Sequence, residues 1–293
     1  MAADLLVTRK DSDAMAAQVP LGSPGRLVHQ LVGGVIGIPF GLGIVIAPHA
    51  LLLGISAAAY CLYVGVFTAI GTVRMRRFAI DNNLALGALG RGQLAYARDV
   101  FARWAASGHL LIGALARHNL GWTLILEGRL DEAAKILEDA AEHHGRYLRR
   151  IAMLPTTRVD VALCHVLLGN LELAEAWCVK SAEPVKGPPS PSFPGLLALV
   201  RALIDCRSGR AAEATVALEH AWAEHEAALT GGTLRIMRVV RAFACAASEG
   251  PRSQGVVERV LGDMRPRYER ELAFVGGTWP EMAAFLAAHQ LDG

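Results

Sequence analysis

Histidine and cysteine side chains are the first candidates for chemistry in this chain. His143 and His144 are adjacent, and so are Cys164 and His165. Neighbouring residues on a helix point about 100° apart, so neither pair converges on one metal ion. We interpret both pairs as structural, and we expect no metal site and no cofactor.

Sequence motifs of catalysis are also missing. The chain contains no Gly-rich phosphate loop, no HExxH and no GxSxG. His220 and Glu224 lie four residues apart, which is typical of a surface pair on a helix. The five cysteines form no CxxC pair, which favours reduced thiols. We expect a protein that is not an enzyme, although an enzyme or its regulatory subunit stays open as a weaker hypothesis.

The composition argues against a nucleic-acid partner. The chain has 29 basic and 27 acidic residues, a net charge of +2. Proteins that bind nucleic acid through bulk charge carry a clear basic excess. The chain is 53% hydrophobic with only 6% aromatic residues, and we expect no nucleic-acid partner.

A long uncharged stretch indicates a membrane. No Asp, Glu, Lys or Arg occurs from 27 to 73, and Pro48 and His49 divide this stretch into arms at 31–47 and 50–73. One transmembrane helix needs about 20 apolar residues. We predict a two-helix transmembrane hairpin over 27–73, which contacts membrane lipid, after a polar and disordered segment at 1–26. A buried hairpin of a soluble protein remains the alternative.

Basic residues flank the predicted hairpin on one side of the membrane. Arg26 precedes it, Arg74, Arg76 and Arg77 follow it, and the turn at 47–50 carries no fixed charge. Positively charged flanks stay on the cytoplasmic side of a membrane. We therefore expect a membrane protein with both termini, and the whole soluble domain, in the cytoplasm.

Small residues recur every four positions on both arms. Lipid tails are as apolar as the helices, so transmembrane helices associate through the close backbone approach that small side chains permit. The spacing resembles that of glycine-zipper membrane segments. We expect these small residues to pack the two helices of the hairpin together, or to face a second copy in a homo-oligomer: Gly33, Gly37 and Gly41 on the first arm, and Ala57, Cys61, Gly65 and Ala69 on the second.

A repeated pattern follows the hairpin. The segments GQLAYA, GRLDEA, GNLELA and GRAAEA begin at Gly92, Gly128, Gly169 and Gly209, which are 36, 41 and 40 residues apart. Recurrence at this distance indicates stacked supersecondary units. We predict that each unit has a first helix ending at the glycine, a second helix starting within two residues, and the alanine where the two helices cross.

The segment RHNLGWTLILEGRLDEAAKILEDA, from Arg117 to Ala140, resembles the tetratricopeptide repeat (TPR). Leu120, Gly121, Leu124, Gly128, Leu130, Ala133, Leu137 and Ala140 stand at its signature positions. The resemblance implies an all-α fold, a right-handed helical solenoid of four to five helix pairs. We place the TPR-like repeats at 78–228 and a degenerate repeat with a helical cap at 229–293.

In that family, the first helix of each unit lines an inner groove that binds a partner. The resemblance implies that Asn83 and Asn119 occupy a position where an asparagine often hydrogen-bonds a peptide backbone. The alternative is that neighbouring helices of the same chain fill this groove. The implied groove residues are Asn82, Asn83, Leu86, His118, Asn119, Trp122, Ile125, Leu126, Val159, Leu163, Val166, Leu203 and Arg207.

Two functions follow from these patterns. The favoured one is a membrane-anchored scaffold or adaptor that binds a partner protein or peptide in its cytoplasmic groove. The alternative is an oligomeric, channel-like protein built on the small-residue helices and regulated by the repeats.

Overall fold

The computed structural model describes residues 50–150, 152–185, 190–229 and 231–293. Every regular element in these ranges is a helix, so the expected all-α class is confirmed for them. The contacts divide the chain into two compact units with a boundary between Asp81 and Asn82. The first predicted membrane arm, with Gly33, Gly37 and Gly41, and the predicted disordered segment at 1–26 lie outside the described residues.

The first described helix, α1, spans Ala50–Gly90. Its part at Ala57–Gly90 is long and apolar enough to cross a membrane, and the most apolar stretch is entirely unburied. The sequence predicts that the membrane hairpin ends at 73 and that the repeats begin at 78, but one helix continues through both positions. The residues Arg74 to Arg77 are good helix formers without glycine or proline, so nothing local ends the helix there.

In the compact part of the chain that begins at Asn82, the helices pack in sequence order. The second helix of one repeat contacts the first helix of the next repeat, so α2 packs on α3 and α4 packs on α6, while α6 also contacts α8. These helices are α2 Leu94–Ala105, α3 Leu110–Leu126, α4 Leu130–His143, α5 Gly145–Arg150, α6 Leu154–Leu168, α7 Leu171–Ser181, α8 Phe193–Arg207, α9 Ala211–His220 and α10 Trp222–Ala228.

The C-terminal part is built on one long helix. This helix, α11, packs on α8 and α9 and so extends the order of the preceding helices. The sequence predicts helices at 234–248, 254–261 and 281–289, and each is found within a few residues of those bounds. The elements are α11 Gly231–Glu249, a 3-10 helix at Gly250–Ser253, α12 Gln254–Leu261, α13 Ala273–Gly276 and α14 Pro280–Ala288.

The four repeated glycines form one kind of turn. At the first, Gly92 N donates to Leu89 O and Gln93 N donates to Ala88 O, each at 3.0 Å. This pair of bonds is the Schellman motif, which requires a left-handed residue. The same two bonds recur in the other three units. The φ angles confirm the prediction, with values of 76° at Gly92, 74° at Gly128, 89° at Gly169 and 78° at Gly209.

The repeated alanines lie at the helix crossings, as predicted. All four are completely buried, and the larger residues four positions later are buried beside them. Gly121 of α3 faces Leu137, because a Cβ on Gly121 would come within 2.6 Å of Leu137 Cδ2. This close approach explains why small residues recur in the pattern. The buried pairs are Ala97 and Phe101, Ala133 and Leu137, Ala174 and Cys178, and Ala214 and Leu218.

Candidate partner-binding surface

Most of the residues assigned to an inner groove are buried. The buried set is His118, Asn119, Ile125, Val159, Leu163, Val166 and Leu203. Side chains of the same chain cover these seven, which favours the alternative of a groove filled from within. The accessible remainder consists of Asn83, which is exposed, and Asn82, Leu86, Trp122, Leu126 and Arg207, which are partly exposed.

The two asparagines with an expected role in peptide binding have different surroundings. The Asn119 side chain is buried, and its Nδ2 donates to Asn82 Oδ1 at 2.7 Å. This bond joins α1 to α3 in the compact part that begins at Asn82. The Asn119 amide is therefore already paired with a residue of the same chain. Asn83 is exposed and free of this network, so it is the better candidate to meet a peptide backbone.

A buried polar cluster joins α3 to α6. His118 Nδ1 lies 3.1 Å from Thr157 Oγ1 and 3.5 Å from Asp160 Oδ2. Burial lowers the pKa of His118 to about 4 and raises the pKa of Asp160 well above its ordinary value. Burial therefore favours the neutral form of each side chain. The sequence analysis included His118 but missed Asp160. Asp160 could have been noticed because it is the single acidic residue in the apolar run from Val159 to Leu168.

This cluster predicts a specific pH dependence of stability. Unfolded, the two side chains together hold one proton between their ordinary pKa values of 3.8 and 6.5, and none above 6.5. Above pH 6.5 the unfolded pair holds no proton, whereas the raised pKa of Asp160 favours a bound proton in the folded pair, so the contribution of the pair to the free energy of unfolding falls as pH rises. Asp160→Asn removes this slope. Denaturant unfolding between pH 5 and 9 measures it, and equal slopes for wild type and variant would contradict the assignment.

The histidines and cysteine that were assessed for metal binding have separate contacts. His165 Nε2 lies 2.8 Å from Glu138 Oε1 on α4, while burial raises the pKa of the neighbouring Cys164. His143 Nδ1 lies 3.2 Å from Asp139 Oδ1 at the end of α4. Within the described ranges, no group of three or more His, Cys, Asp or Glu side chains could hold a metal ion.

A C-terminal segment, whose path the sequence does not predict, runs past the repeat turns. We define the C-terminal segment as residues 264–280. Tyr268 lies against Gly92, where a Cβ would come within 2.7 Å of Tyr268 Cβ. Phe274 Cβ lies 4.0 Å from the position of a Cβ on Gly128. The segment therefore meets the turn of the first unit and then that of the second.

The same segment continues to the third and fourth units. Thr278 Oγ1 donates to Leu167 O at the end of α6. Arg207, at the end of α8, donates to Thr278 O at 2.7 Å and to Leu167 O at 2.7 Å. These bonds satisfy a carbonyl at a helix C-terminus, where the helix itself supplies no donor.

Glu271 anchors the C-terminal segment to α11. Its side chain is 4% exposed and receives two bonds of 3.0 Å from the Arg235 guanidinium. Arg267 adds a 2.7 Å bond from Nε and a 2.8 Å bond from its backbone N. Leu272, Phe274, Val275 and Trp279 are buried around this anchor.

An arginine-lined cavity lies between α10, α11 and α12. It has a volume of about 470 Å³ and is lined by Trp222, Arg235, Arg238, Arg241 and Arg259, among others. Three of these arginines are already paired, with Glu271, Glu226 and Glu219. The paired carboxylates offset the positive charge, so the cavity is not a ready site for an anion.

The small residues of the second predicted membrane arm lie on α1. Ala57, Cys61, Gly65 and Ala69 are all exposed. A Cβ on Gly65 would meet no other heavy atom within 4 Å in the described part of the chain. Whether these residues pack on the first arm stays a prediction, because that arm lies outside the described residues.

The described residues define an all-α protein of packed helix pairs with one candidate membrane-spanning helix. Comparison with known proteins finds no matching protein-family model, no matching curated protein and no matching solved structure.

Proposed function

We propose that this protein is a membrane-anchored scaffold. A hairpin at 27–73 holds it in the bilayer, and a TPR-like solenoid at 78–228, capped by 229–293, recruits a partner protein or peptide on the cytoplasmic side. Anchoring raises the local concentration of a recruited partner at the membrane without any new contact.

The main support for the proposed membrane anchor is the exposure of α1. Leu62, Phe67 and Val73 are each about two-thirds exposed, at 69%, 66% and 67%. They belong to an apolar surface that extends around the helix, in a stretch without charge. Soluble proteins rarely expose apolar surface on this scale, whereas lipid covers it at no cost.

The regular turns between the paired helices support the proposed solenoid. Four units share one Schellman turn, one buried alanine and one packing order, in which each second helix contacts the next first helix. Stacked helix pairs of this kind present extended surfaces that bind other proteins. This is why we favour a scaffold over an enzyme.

The accessible partner surface is the part of the inner face on α1 and α3. Leu86, Trp122 and Leu126 offer apolar contact, and Asn83 offers a polar side chain for a peptide backbone. A partly apolar face with one hydrogen-bonding residue suits an amphipathic helix or an apolar peptide. Among these residues Trp122 offers the largest contact, and large aromatic side chains dominate binding energy at interfaces.

Partner capture tests this surface. We expect detergent-solubilised wild type to retain one partner that the Trp122→Ala variant loses by at least tenfold, the effect of removing about 1.4 kcal/mol or more. Tyr96→Ala is the matched control, since Tyr96 is a half-exposed aromatic residue on α2, the second helix of its repeat unit. A partner retained equally by both variants would contradict the assigned surface.

A further inference from the structure

The C-terminal segment contacts the four repeat units in chain order. Tyr268 meets the first unit, Phe274 the second, and Thr278 the third and fourth through Leu167 O and Arg207. The contacts combine the Tyr268 side chain packed against Gly92 and the Phe274 Cβ near Gly128 with hydrogen bonds to the ends of α6 and α8. A peptide held by these repeats from outside would use the same combination of contacts.

We propose that the C-terminal segment is an intramolecular ligand of the repeat array, which a partner has to displace. This inference rests on the proposed function, because it names the regulation and the partner chemistry of the same array. The partner is a protein segment with an aromatic residue, a second aromatic residue six positions later and a hydroxyl residue four positions after that. Tyr268, Phe274 and Thr278 supply this pattern within the chain.

Two features of the segment suit a displaceable ligand. It contains only one short helix, α13, and extends otherwise outside regular secondary structure between α12 and α14. Its hydrogen bonds to α11 come from one residue, Arg235, which donates to the Glu271 carboxylate and to the backbone carbonyl of Arg265. A segment with little regular secondary structure opens locally at a lower free energy than the packed helices around it.

The backbone turns are suited to receive it. Gly92 has no side chain, and any Cβ there would collide with Tyr268. By contrast, Gly209 has the same left-handed φ, and nothing lies within 4 Å of its Cβ position in the described residues. The first turn is therefore occupied by the segment and the fourth glycine is left uncovered, with Arg207 making the contact there instead.

Hydrogen exchange of the wild-type full chain in detergent is the first test. A displaceable ligand opens locally, so we expect the protected amides of 268–279 to exchange at least tenfold faster than those of the buried helix α6. Exchange of both regions at one common rate would show that the segment belongs to the permanent core, and would overturn the proposal.

The second test uses a labelled synthetic peptide of residues 264–280 as the probe. We expect the full chain carrying Tyr268→Ala and Phe274→Ala to bind this peptide at least tenfold more tightly than wild type, whose site is occupied. A peptide with the same two substitutions is the control and should not bind. Equal binding by both chains, or no binding to a variant that still unfolds cooperatively, would overturn the proposal.

The outcomes separate this inference from the proposed function. If the peptide binds the variant but no partner is captured through Trp122, the intramolecular ligand is supported and the scaffold is contradicted. If a captured partner depends on Trp122 and the peptide binds neither chain, the scaffold is supported and the intramolecular ligand is contradicted.

Discussion

Glu271→Ala is expected to lower the free energy of unfolding by about 3–5 kcal/mol, because it breaks a buried ion pair by removing one partner. The carboxylate is 4% exposed and is shared by Arg235 and Arg267. Its loss leaves the Arg235 guanidinium, itself mostly buried, without its acid. Denaturant unfolding of the full chain in detergent measures the change.

Glu219→Ala is the matched control for this prediction. Glu219 also receives two bonds from one arginine, at 2.7 and 2.8 Å from Arg241, but its side chain is 44% exposed. Solvent screens that pair, so we expect a loss of no more than about 1 kcal/mol. Equal losses in the two variants would show that burial does not set the strength of the Glu271 anchor.

The second large effect concerns the apolar part of α1. Replacing both Phe67 and Ile70 with aspartate should release the full chain from the membrane, since each acid inside a span opposes insertion, at a cost that reaches about 3 kcal/mol at the centre of the span. The exposed fractions of the two side chains are 66% and 60%, so neither change disturbs a packed core. The measurement is the share of the chain that stays in the membrane pellet after alkaline extraction.

Tyr96→Asp controls for the effect of an added charge alone. Tyr96 is 50% exposed but lies on α2, outside the predicted hairpin. We expect this variant to remain in the pellet as wild type does. Retention of the Phe67 and Ile70 double variant at the wild-type level would contradict the membrane role of α1.

The repeat turns could be predicted because their causes are local. A glycine with the required left-handed φ, followed five residues later by an alanine at a helix crossing, leaves a pattern in the sequence itself. Gly92 and Ala97 behave as this pattern predicts, and so do their counterparts in the other units. The C-terminal helices were predictable for a similar reason, since proline and glycine mark their ends.

The path of the C-terminal segment could not be predicted. Tyr268 and Thr278 contact residues more than 100 positions away, and no periodicity records such pairings. The same holds for Asp160, whose partner His118 lies on another helix. The groove residues of α6 became buried because neighbouring elements cover them, which depends on tertiary packing rather than on the helix pattern.

Protease protection of the full chain in sealed, cytoplasm-side-out vesicles tests the central claim most directly. A protease of broad specificity should digest the repeats from 78 onward and leave one protected fragment that covers 27–73. Complete digestion without a protected fragment would contradict the membrane hairpin. Protection of the repeats until detergent is added would contradict their place on the cytoplasmic side.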